Sequence, residues 1–204
     1  MSAAPIATSA PYTVVAGPER VGSEQRWQVA LADGRRGVLA RLLPELAADP
    51  AIRRRYARDL ARLRELEGCG LARLIEVGPS TDPSDPSAPP PWRLREDPPG
   101  EPLAAWIARR APAPADEVAR IGAAIADRLV SIHDRGVVLR DLAPRWIVVG
   151  EGGSITLTDV GLARVDILST RTAASLLVEG SPYVAPEQLT RTVVDPAPIS
   201  TASA

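Results

Sequence analysis

The sequence predicts an α+β protein made of two parts, a small β-rich part followed by a partly helical one. The first part is predicted by alternating apolar residues that precede one amphipathic helix, with further strand-like runs up to residue 96. The second is predicted by two longer segments with helical spacing, followed by short apolar runs beside acidic residues. A chain of 204 residues, 45% hydrophobic and 24% charged, is long and apolar enough to bury a core.

The first part contains five predicted strands and one helix. The strands cover residues 12–16, 26–32, 36–42, 71–77 and 92–96. Asp33-Gly34 predicts a tight hairpin turn between the second and third strands. The helix is expected from Pro50 to Glu67, because apolar residues recur there every three or four positions.

The second part is predicted to begin with helices over residues 103–110 and 115–133. Short strands are then expected at 137–138, 147–149 and 155–158. The predicted organisation is a disordered leader (1–11), a β-rich lobe (12–96) with a flexible loop (79–91), a partial helical lobe (97–190) and a tail or linker (191–204).

Composition excludes several classes of function. The net charge of −1 lacks the excess of basic residues that nucleic acid binding requires, so we expect no nucleic acid partner. One cysteine and one histidine, Cys69 and His133, provide no disulfide and no structural zinc site. No apolar run reaches membrane-spanning length and no secretory signal is present, so we expect a cytoplasmic protein.

Three motifs follow one another between Ile132 and Glu187. They are the segments IHDRGVVLRDLAPRWIVV, ITLTDVGLAR and GSPYVAPEQL. Their order and spacing resemble the protein kinase superfamily, and the closest similarity is to bacterial serine/threonine kinases. The resemblance extends from about residue 12 to residue 190 and implies a two-lobed kinase-like fold with a small β-rich N-lobe and a partial helical C-lobe.

The resemblance assigns roles to residues that the chain retains. Asp141 takes the position of the catalytic aspartate, and Asp159 that of the magnesium-binding aspartate. Arg140 corresponds to the arginine that receives an activation-loop phosphate, Gly161 ends the magnesium-binding motif, and Glu187 closes the activation segment.

Other positions depart from the family pattern. The chain contains no lysine, so Arg41 takes the place of the phosphate-binding lysine, and Asp59 is the best match for its helix partner. Trp146 stands where an asparagine would bind the second magnesium ion, and Ala143 replaces a lysine of the catalytic loop. An arginine from elsewhere, Arg20 or Arg26, is the remaining substitute for the phosphate-binding lysine.

The nucleotide site is also altered in this alignment. Leu39 replaces the small residue above the adenine, Arg95 occupies the gatekeeper position, and Glu96 and Pro98 lie in the hinge. Proline has no backbone N–H to offer the base. The segment between Gly17 and Gly22 lacks the triple-glycine pattern that wraps phosphates. We therefore expect no cofactor, or at most weak binding of ATP and Mg²⁺.

These departures predict a pseudokinase, a regulatory or scaffolding module that binds a protein partner. The activation segment carries hydroxyl residues that an active kinase could phosphorylate to create a partner site, namely Ser169, Thr170, Thr172 and Ser175. The alternative is that serine and threonine simply populate a flexible loop.

Three explanations compete for the chain as a whole, and the first is the pseudokinase described above. The second is a weak or unconventional ATP-dependent serine/threonine kinase that uses Asp141 and Asp159. The third is a degenerating kinase remnant with no selected role. Compositional drift in a genome rich in G and C can also make lysine rare, but selection for phosphotransfer would have kept the indispensable lysines, so loss of function is the favoured explanation.

Overall fold

The structure is a computed structural model that describes residues 6–79, 85, 87–139, 142–158 and 183. The described residues divide into two compact units, one up to Pro98 and the other from Pro99. The predicted α+β class is confirmed, since an antiparallel sheet dominates the first unit and helices the second.

The first unit is a five-stranded antiparallel sheet with strand order β1-β2-β3-β5-β4. Its strands are β1 (Tyr12–Val21), β2 (Glu24–Leu31), β3 (Arg36–Leu42), β4 (Leu74–Gly78) and β5 (Trp92–Glu96). The predicted hairpin turn lies between β2 and β3, where Gly34 has a φ of 84° that favours glycine.

Two helices follow β3, α1 (Pro44–Ala47) and α2 (Pro50–Glu65). The Asp49 side chain accepts a hydrogen bond of 2.7 Å from Ala51 N and thereby caps α2, while Pro50 takes the first helical position. Tyr56 and Leu60 of α2 pack with Leu42 of β3. We call the side of the sheet that α2 covers the helix-side face.

The opposite side, which we call the outer face, is apolar. Its buried residues come from β2, β3 and β5 and are Trp27, Val29, Leu31, Leu39, Trp92 and Leu94. Ile6 and Ala10 pack against them. The prediction of a disordered leader is therefore wrong for residues 6–11, because the apolar outer face gives them a surface on which to pack; residues 1–5 lie outside the described residues.

The second unit has a small antiparallel sheet with strand order β6-β7-β8. Its elements are β6 (Glu101–Pro102), α3 (Leu103–Arg110), α4 (Ala115–His133), a 3-10 helix (Pro144–Trp146), β7 (Ile147–Val149) and β8 (Ile155–Leu157). The strand predicted at 137–138 does not form. Both predicted helices are present with the expected bounds.

Helix α4 buries one side and exposes the other. Ile121, Leu129 and Ile132 are buried, whereas Val118 and Val130 are 52% and 58% exposed. Among the described residues, no helix combines the length and apolar character that crossing a bilayer requires.

Candidate functional site

The two faces of β3 decide which of its residues can meet α2. Side chains alternate between the faces of a strand, so Val38, Ala40 and Leu42 share one face and Leu39 lies on the other. Leu42 packs with α2 and Leu39 with the outer-face residues. The buried helix-side positions of β3 are therefore all aliphatic, and the remaining one, Arg36, is exposed at the start of the strand.

Arg41 belongs to the outer face. Its Nη2 donates a hydrogen bond of 2.6 Å to Gln25 Oε1, and its guanidinium carbon lies 5.2 Å from the centre of the Trp27 ring. The expected ion pair between Arg41 and Asp59 is thus not formed, because Arg41 points away from the helix that carries Asp59. Leu39, buried on the same outer face, does not fit the expected position above an adenine.

The helix-side face instead carries a buried ionic network centred on Glu24, which is fully buried. We call it the Glu24 cluster; its members are Glu24, Arg26, Tyr56 and Arg93. Arg26 of β2 donates to Glu24 Oε2 from Nε at 2.9 Å and from Nη2 at 2.7 Å. Tyr56 of α2 donates its hydroxyl to Glu24 Oε1 at 2.6 Å.

Arg93 of β5 completes the Glu24 cluster. It donates from Nη1 to Glu24 Oε1, from Nη2 to Glu24 Oε2 at 3.1 Å, and from Nη1 to the Tyr56 hydroxyl at 3.1 Å. The guanidinium therefore binds the carboxylate through both terminal nitrogens, and this bidentate geometry is the one in which arginine binds carboxylates most strongly. One carboxylate thereby connects β2, β5 and α2.

The ionisation states of Glu24 and Tyr56 follow from their burial and from these hydrogen bonds. Burial by itself raises the pKa of the Glu24 carboxyl, but the charges of Arg93 and Arg26 and the hydrogen bonds from Arg93 and Tyr56 lower that pKa to about 2. The pKa of Tyr56 lies well above its ordinary value, chiefly because the hydroxyl is buried and also because the negative charge of Glu24 is close to it. Glu24 is therefore ionised and Tyr56 protonated at neutral pH, as the observed hydrogen bonds require.

Sequence reasoning missed Glu24, Arg93 and the role of Tyr56. A signal was present, because Glu24 and Arg26 are two residues apart in a strand, as are Arg93 and Arg95, and residues two apart share a face. Charged residues that recur on one face of strands whose flanking residues are apolar, here Trp27 and Trp92, indicate a buried ionic network.

The segment between Gly17 and Gly22 is a hairpin. Strand β1 runs through it, and Glu19, Arg20 and Val21 pair with Arg26, Gln25 and Glu24. Arg20, one of the two substitute arginines, forms an exposed ion pair of 3.2 Å with Glu45. Arg26, the other, is bound to Glu24, so both arginines already have carboxylate partners.

The end of β5 is also occupied by ionic contacts. Glu96 accepts hydrogen bonds from Arg35 and, at 2.8 Å, from Arg73 Nε. Arg95 is buried on the helix-side face and donates to the Glu96 carbonyl at 2.9 Å. The roles of Glu96, Pro98 and Asp59 as nucleotide-site positions stay predictions.

In the second unit, Ala143 precedes the 3-10 helix and Trp146 is its last residue. Ala143 is 1% exposed, so its position holds a buried methyl group. The Trp146 carbonyl accepts hydrogen bonds from Thr158 N at 2.8 Å and from Thr158 Oγ1 at 3.1 Å. Arg145 lies over the indole, with its guanidinium carbon 4.8 Å from the ring centre. The backbone of Trp146 is therefore hydrogen-bonded to Thr158, the residue that precedes Asp159 in the sequence.

The remaining site residues lie outside the described residues. They are Arg140, Asp141, Asp159, Gly161, Ser169, Thr170, Thr172, Ser175 and Glu187. Within the described ranges, no group of three or more histidine, cysteine, aspartate or glutamate residues could hold a metal ion.

The chain is similar in sequence to bacterial serine/threonine protein kinases. It is 32% identical to the probable serine/threonine-protein kinase PkwA of Thermomonospora curvata over 190 residues, which are 92% of this chain and 24% of that protein. It is also 32% identical to the serine/threonine-protein kinase AfsK of Streptomyces coelicolor over 158 residues, 77% of this chain and 19% of AfsK. The chain therefore spans about a fifth to a quarter of these relatives.

A solved structure shares the fold. The crystal structure of Rad53 residues 1–466 in complex with AMP-PNP matches with a TM-score of 0.59 and 17% identity, covering 82% of this chain and 43% of that one. No family model matches the chain.

Proposed function

Because this chain is a protein kinase-like domain, we propose that it is catalytically impaired and acts as a regulatory or scaffolding module that binds a protein partner. The observation that carries the proposal is the aliphatic character of Val38, Ala40 and Leu42, the buried helix-side positions of β3. Active kinases place on this strand a lysine that contacts the nucleotide phosphates and pairs with a glutamate of the helix. No side chain at these three positions can do either.

The charges on the helix-side face also fit a nucleotide poorly. Arg26 and Arg93 lie opposite Ala40 on the neighbouring strands, and both are bound to the buried Glu24 carboxylate. A phosphate would have to displace Glu24 or approach it, and like charges in a poorly solvated site repel strongly. The residues present therefore do not fit ATP in the manner of an active kinase.

The second unit is equally unsuited to the metal and to phosphotransfer. Trp146 offers an indole N–H donor and no oxygen ligand at the position of the second metal ligand. Ala143 offers no charge for the transferring phosphoryl group. Phosphoryl transfer depends almost entirely on positioning and electrostatic stabilisation, so these losses should reduce the rate by several powers of ten.

We further propose that the retained activation-segment residues serve binding. Arg140 and Glu187 match the family's positions for ordering this segment, and Ser169, Thr170 and Thr172 can accept a phosphate from an active kinase. Pull-down with the phosphorylated and the unmodified chain tests this idea. Equal recovery of every partner by the two forms would refute it.

The test of catalytic impairment is thermal unfolding with 5 mM ATP, alone and with Mg²⁺ or Mn²⁺. A ligand at about 100 times its Kd stabilises the native state by about 2.7 kcal/mol, so binding with a Kd of about 50 μM would raise the unfolding midpoint by several degrees. We expect no rise for the wild-type chain. A metal-dependent rise that Asp159→Asn abolishes and Asp116→Asn, at an exposed helix position, retains would contradict the proposal.

A second function, weak ATP-dependent serine/threonine kinase activity, is favoured by one observation. Arg26 and Arg93 lie on the helix-side face, so arginines from neighbouring strands are near the position of the missing lysine. This function predicts transfer of labelled phosphate from ATP to a generic protein substrate. Such transfer, lost in both Asp141→Asn and Arg93→Met while Arg20→Met retains it, would establish this alternative.

A further inference from the structure

Residues 6–11, which we call the N-terminal strap, cover part of the outer face of the sheet. Ile6 and Ala10 of the strap pack on the apolar cluster that contains Trp27 and Leu39. The Tyr12 hydroxyl donates to Ile6 O at 2.5 Å and accepts from Ile6 N at 3.2 Å, which closes the strap into a loop. The strap therefore shields apolar surface that would otherwise face water.

One carboxylate holds the middle of the strap. Glu76 of β4 accepts hydrogen bonds from Ser9 N at 3.0 and 2.9 Å, from Ser9 Oγ at 2.8 Å and from Ala10 N at 3.2 Å. Burial raises the pKa of Glu76, but the hydrogen bonds from Ser9 and Ala10 together lower it by more. The pKa is therefore below its ordinary value, and the carboxylate is ionised at neutral pH. Ser9 itself is exposed, so an enzyme can reach it when the strap lifts.

We propose that Ser9 is a phosphorylation site and that a phosphate on its Oγ releases the N-terminal strap from the outer face. The proposal concerns a surface away from the helix-side face, and it holds whether or not the chain has catalytic activity. It rests on the position of the Ser9 hydroxyl against the Glu76 carboxylate and on the apolar cluster that the strap covers.

The reaction is phosphoryl transfer from ATP by an active serine/threonine kinase. The Ser9 Oγ attacks the γ-phosphorus, its hydroxyl proton passes to the kinase's base, the Oγ–P bond forms, and the bond to the β,γ-bridging oxygen breaks to release ADP. The strap presents Ser9 to the kinase in its lifted state, and the phosphate then prevents its return.

The release follows from charge and size. A phosphoserine carries a charge of about −1.5 to −2 at pH 7, and here it would replace a donor that lies 2.8 Å from a carboxylate. The hydrogen bond is lost and two anions are brought within contact distance. Ser9 N and Ala10 N cannot keep their bonds to Glu76 without holding that phosphate against the carboxylate.

The first experiment measures the hydrogen exchange of the strap amides and the NMR signal of the Trp27 indole. Ser9→Glu should accelerate exchange at Ser9 and Ala10 at least tenfold and shift the Trp27 signal. Ser9→Ala, which loses only one hydrogen bond, and Ala7→Glu, which adds the same charge at an exposed position without a contact to Glu76, should change exchange by less than threefold.

Charge reversal at the anchor provides the decisive control. In Glu76→Arg the charge of Ser9→Glu becomes attractive, but arginine accepts no hydrogen bond from Ala10 N, so the readout is the NMR signal of the Trp27 indole. In the double variant that signal should return towards its wild-type position, whereas in Ser9→Glu alone it stays shifted. The proposal would be overturned if Ser9→Glu and Ala7→Glu accelerated exchange equally, or if the Trp27 signal were the same in Ser9→Glu and in the double variant.

The second experiment tests the modification itself. The purified chain is incubated with Mg·ATP and the catalytic domain of AfsK, and the peptide that contains Ser9 is analysed by mass spectrometry, with Ser9→Ala as the blank. We expect one phosphate on Ser9 and the same accelerated exchange as in Ser9→Glu. Phosphate on other residues only, or phosphate on Ser9 with unchanged exchange, would refute the proposal.

Discussion

The two faces of the five-stranded sheet bury side chains of opposite character. The outer face is covered by apolar residues, with Arg41 and Gln25 at its edge. The helix-side face buries a carboxylate together with a phenol and three guanidinium groups, those of Arg26, Arg93 and Arg95. An apolar face tolerates many packings at similar free energy, whereas a buried charge tolerates only those in which every partner is in place.

This difference explains how α2 keeps a defined position on the sheet although β3 has no lysine to pair with the helix. Tyr56 reaches from α2 into the Glu24 cluster, so the helix is attached to β2 and β5 by directional hydrogen bonds. Such a cluster stabilises the fold only while all of its members are present, because removing one partner of a buried ion pair is strongly destabilising. Breaking the cluster should therefore have larger effects than comparable changes elsewhere.

The largest effect is expected for Glu24→Gln. The variant keeps the shape of the side chain but removes the negative charge that the buried Arg93 and Arg26 both bind, so the free energy of unfolding should fall by about 3–5 kcal/mol. Urea unfolding measures this change. The matched control is Glu45→Gln, which breaks the exposed pair with Arg20 and should cost no more than about 1 kcal/mol. Similar losses in the two variants would mean that the Glu24 cluster contributes no more than a surface ion pair.

Acid should remove the same contribution from the wild-type chain. The pKa of Glu24 is lowered to about 2 in the folded state and lies near 4.3 in the unfolded one, so the unfolded state takes up the proton first. The stabilisation is complete above the unfolded pKa and is lost as the pH falls from about 4.3 through about 2, amounting to about 3 kcal/mol.

Urea unfolding at pH 6, 4, 3 and 2 tests this dependence. Other carboxyl groups, among them Asp33 and Glu76, also have lowered pKa values. The contribution of Glu24 is therefore the difference between the wild-type chain and Glu24→Gln at each pH, and that difference should shrink towards pH 2. A difference that stays constant would show that the Glu24 charge is not what stabilises the fold.

A smaller effect is expected for Tyr56→Phe. This change removes one donor to Glu24 and one acceptor for Arg93 but leaves the two charges paired, so we expect a loss of about 2 kcal/mol in urea unfolding. Tyr12→Phe is the counterpart on the outer face, where the hydroxyl bonds the strap at a partly exposed site. It should cost about 1 kcal/mol or less, and a larger loss than in Tyr56→Phe would reverse the comparison between the faces.

The sequence was sufficient to predict the α+β class and most helices and strands, because alternation and helical spacing are local properties. It was insufficient for the faces of β3. Residues 38–40 and 42–43 are all apolar, so the strand has no alternation from which to tell its two faces apart, and a shift of one residue moved Arg41 to the wrong side.

The strap and the Glu24 cluster were missed for a related reason. Residues 6–11 form a short segment with no helical or strand periodicity, and their order comes from Glu76 and the outer face, which are distant in sequence. Glu24, Tyr56 and Arg93 belong to three separate elements, and nothing local shows that they meet. The substitutions at Ala143 and Trp146 needed only the motif around them, so they could be located from the sequence.

The smallest effect is expected for Arg41→Met, and it tests the assignment of Arg41 to the outer face. Methionine keeps apolar contact with the Trp27 ring and loses the hydrogen bond to Gln25 and the cation–π contact at a partly exposed site, so the cost should stay near or below about 1 kcal/mol. A double-mutant cycle with Asp59→Asn should give a coupling energy within about 0.5 kcal/mol of zero, as for residues that do not interact. The same cycle for Arg93→Met and Glu24→Gln should give at least about 1.5 kcal/mol. A coupling of that size between Arg41 and Asp59 would instead place Arg41 on the helix-side face and restore the ion pair that the sequence alone suggested.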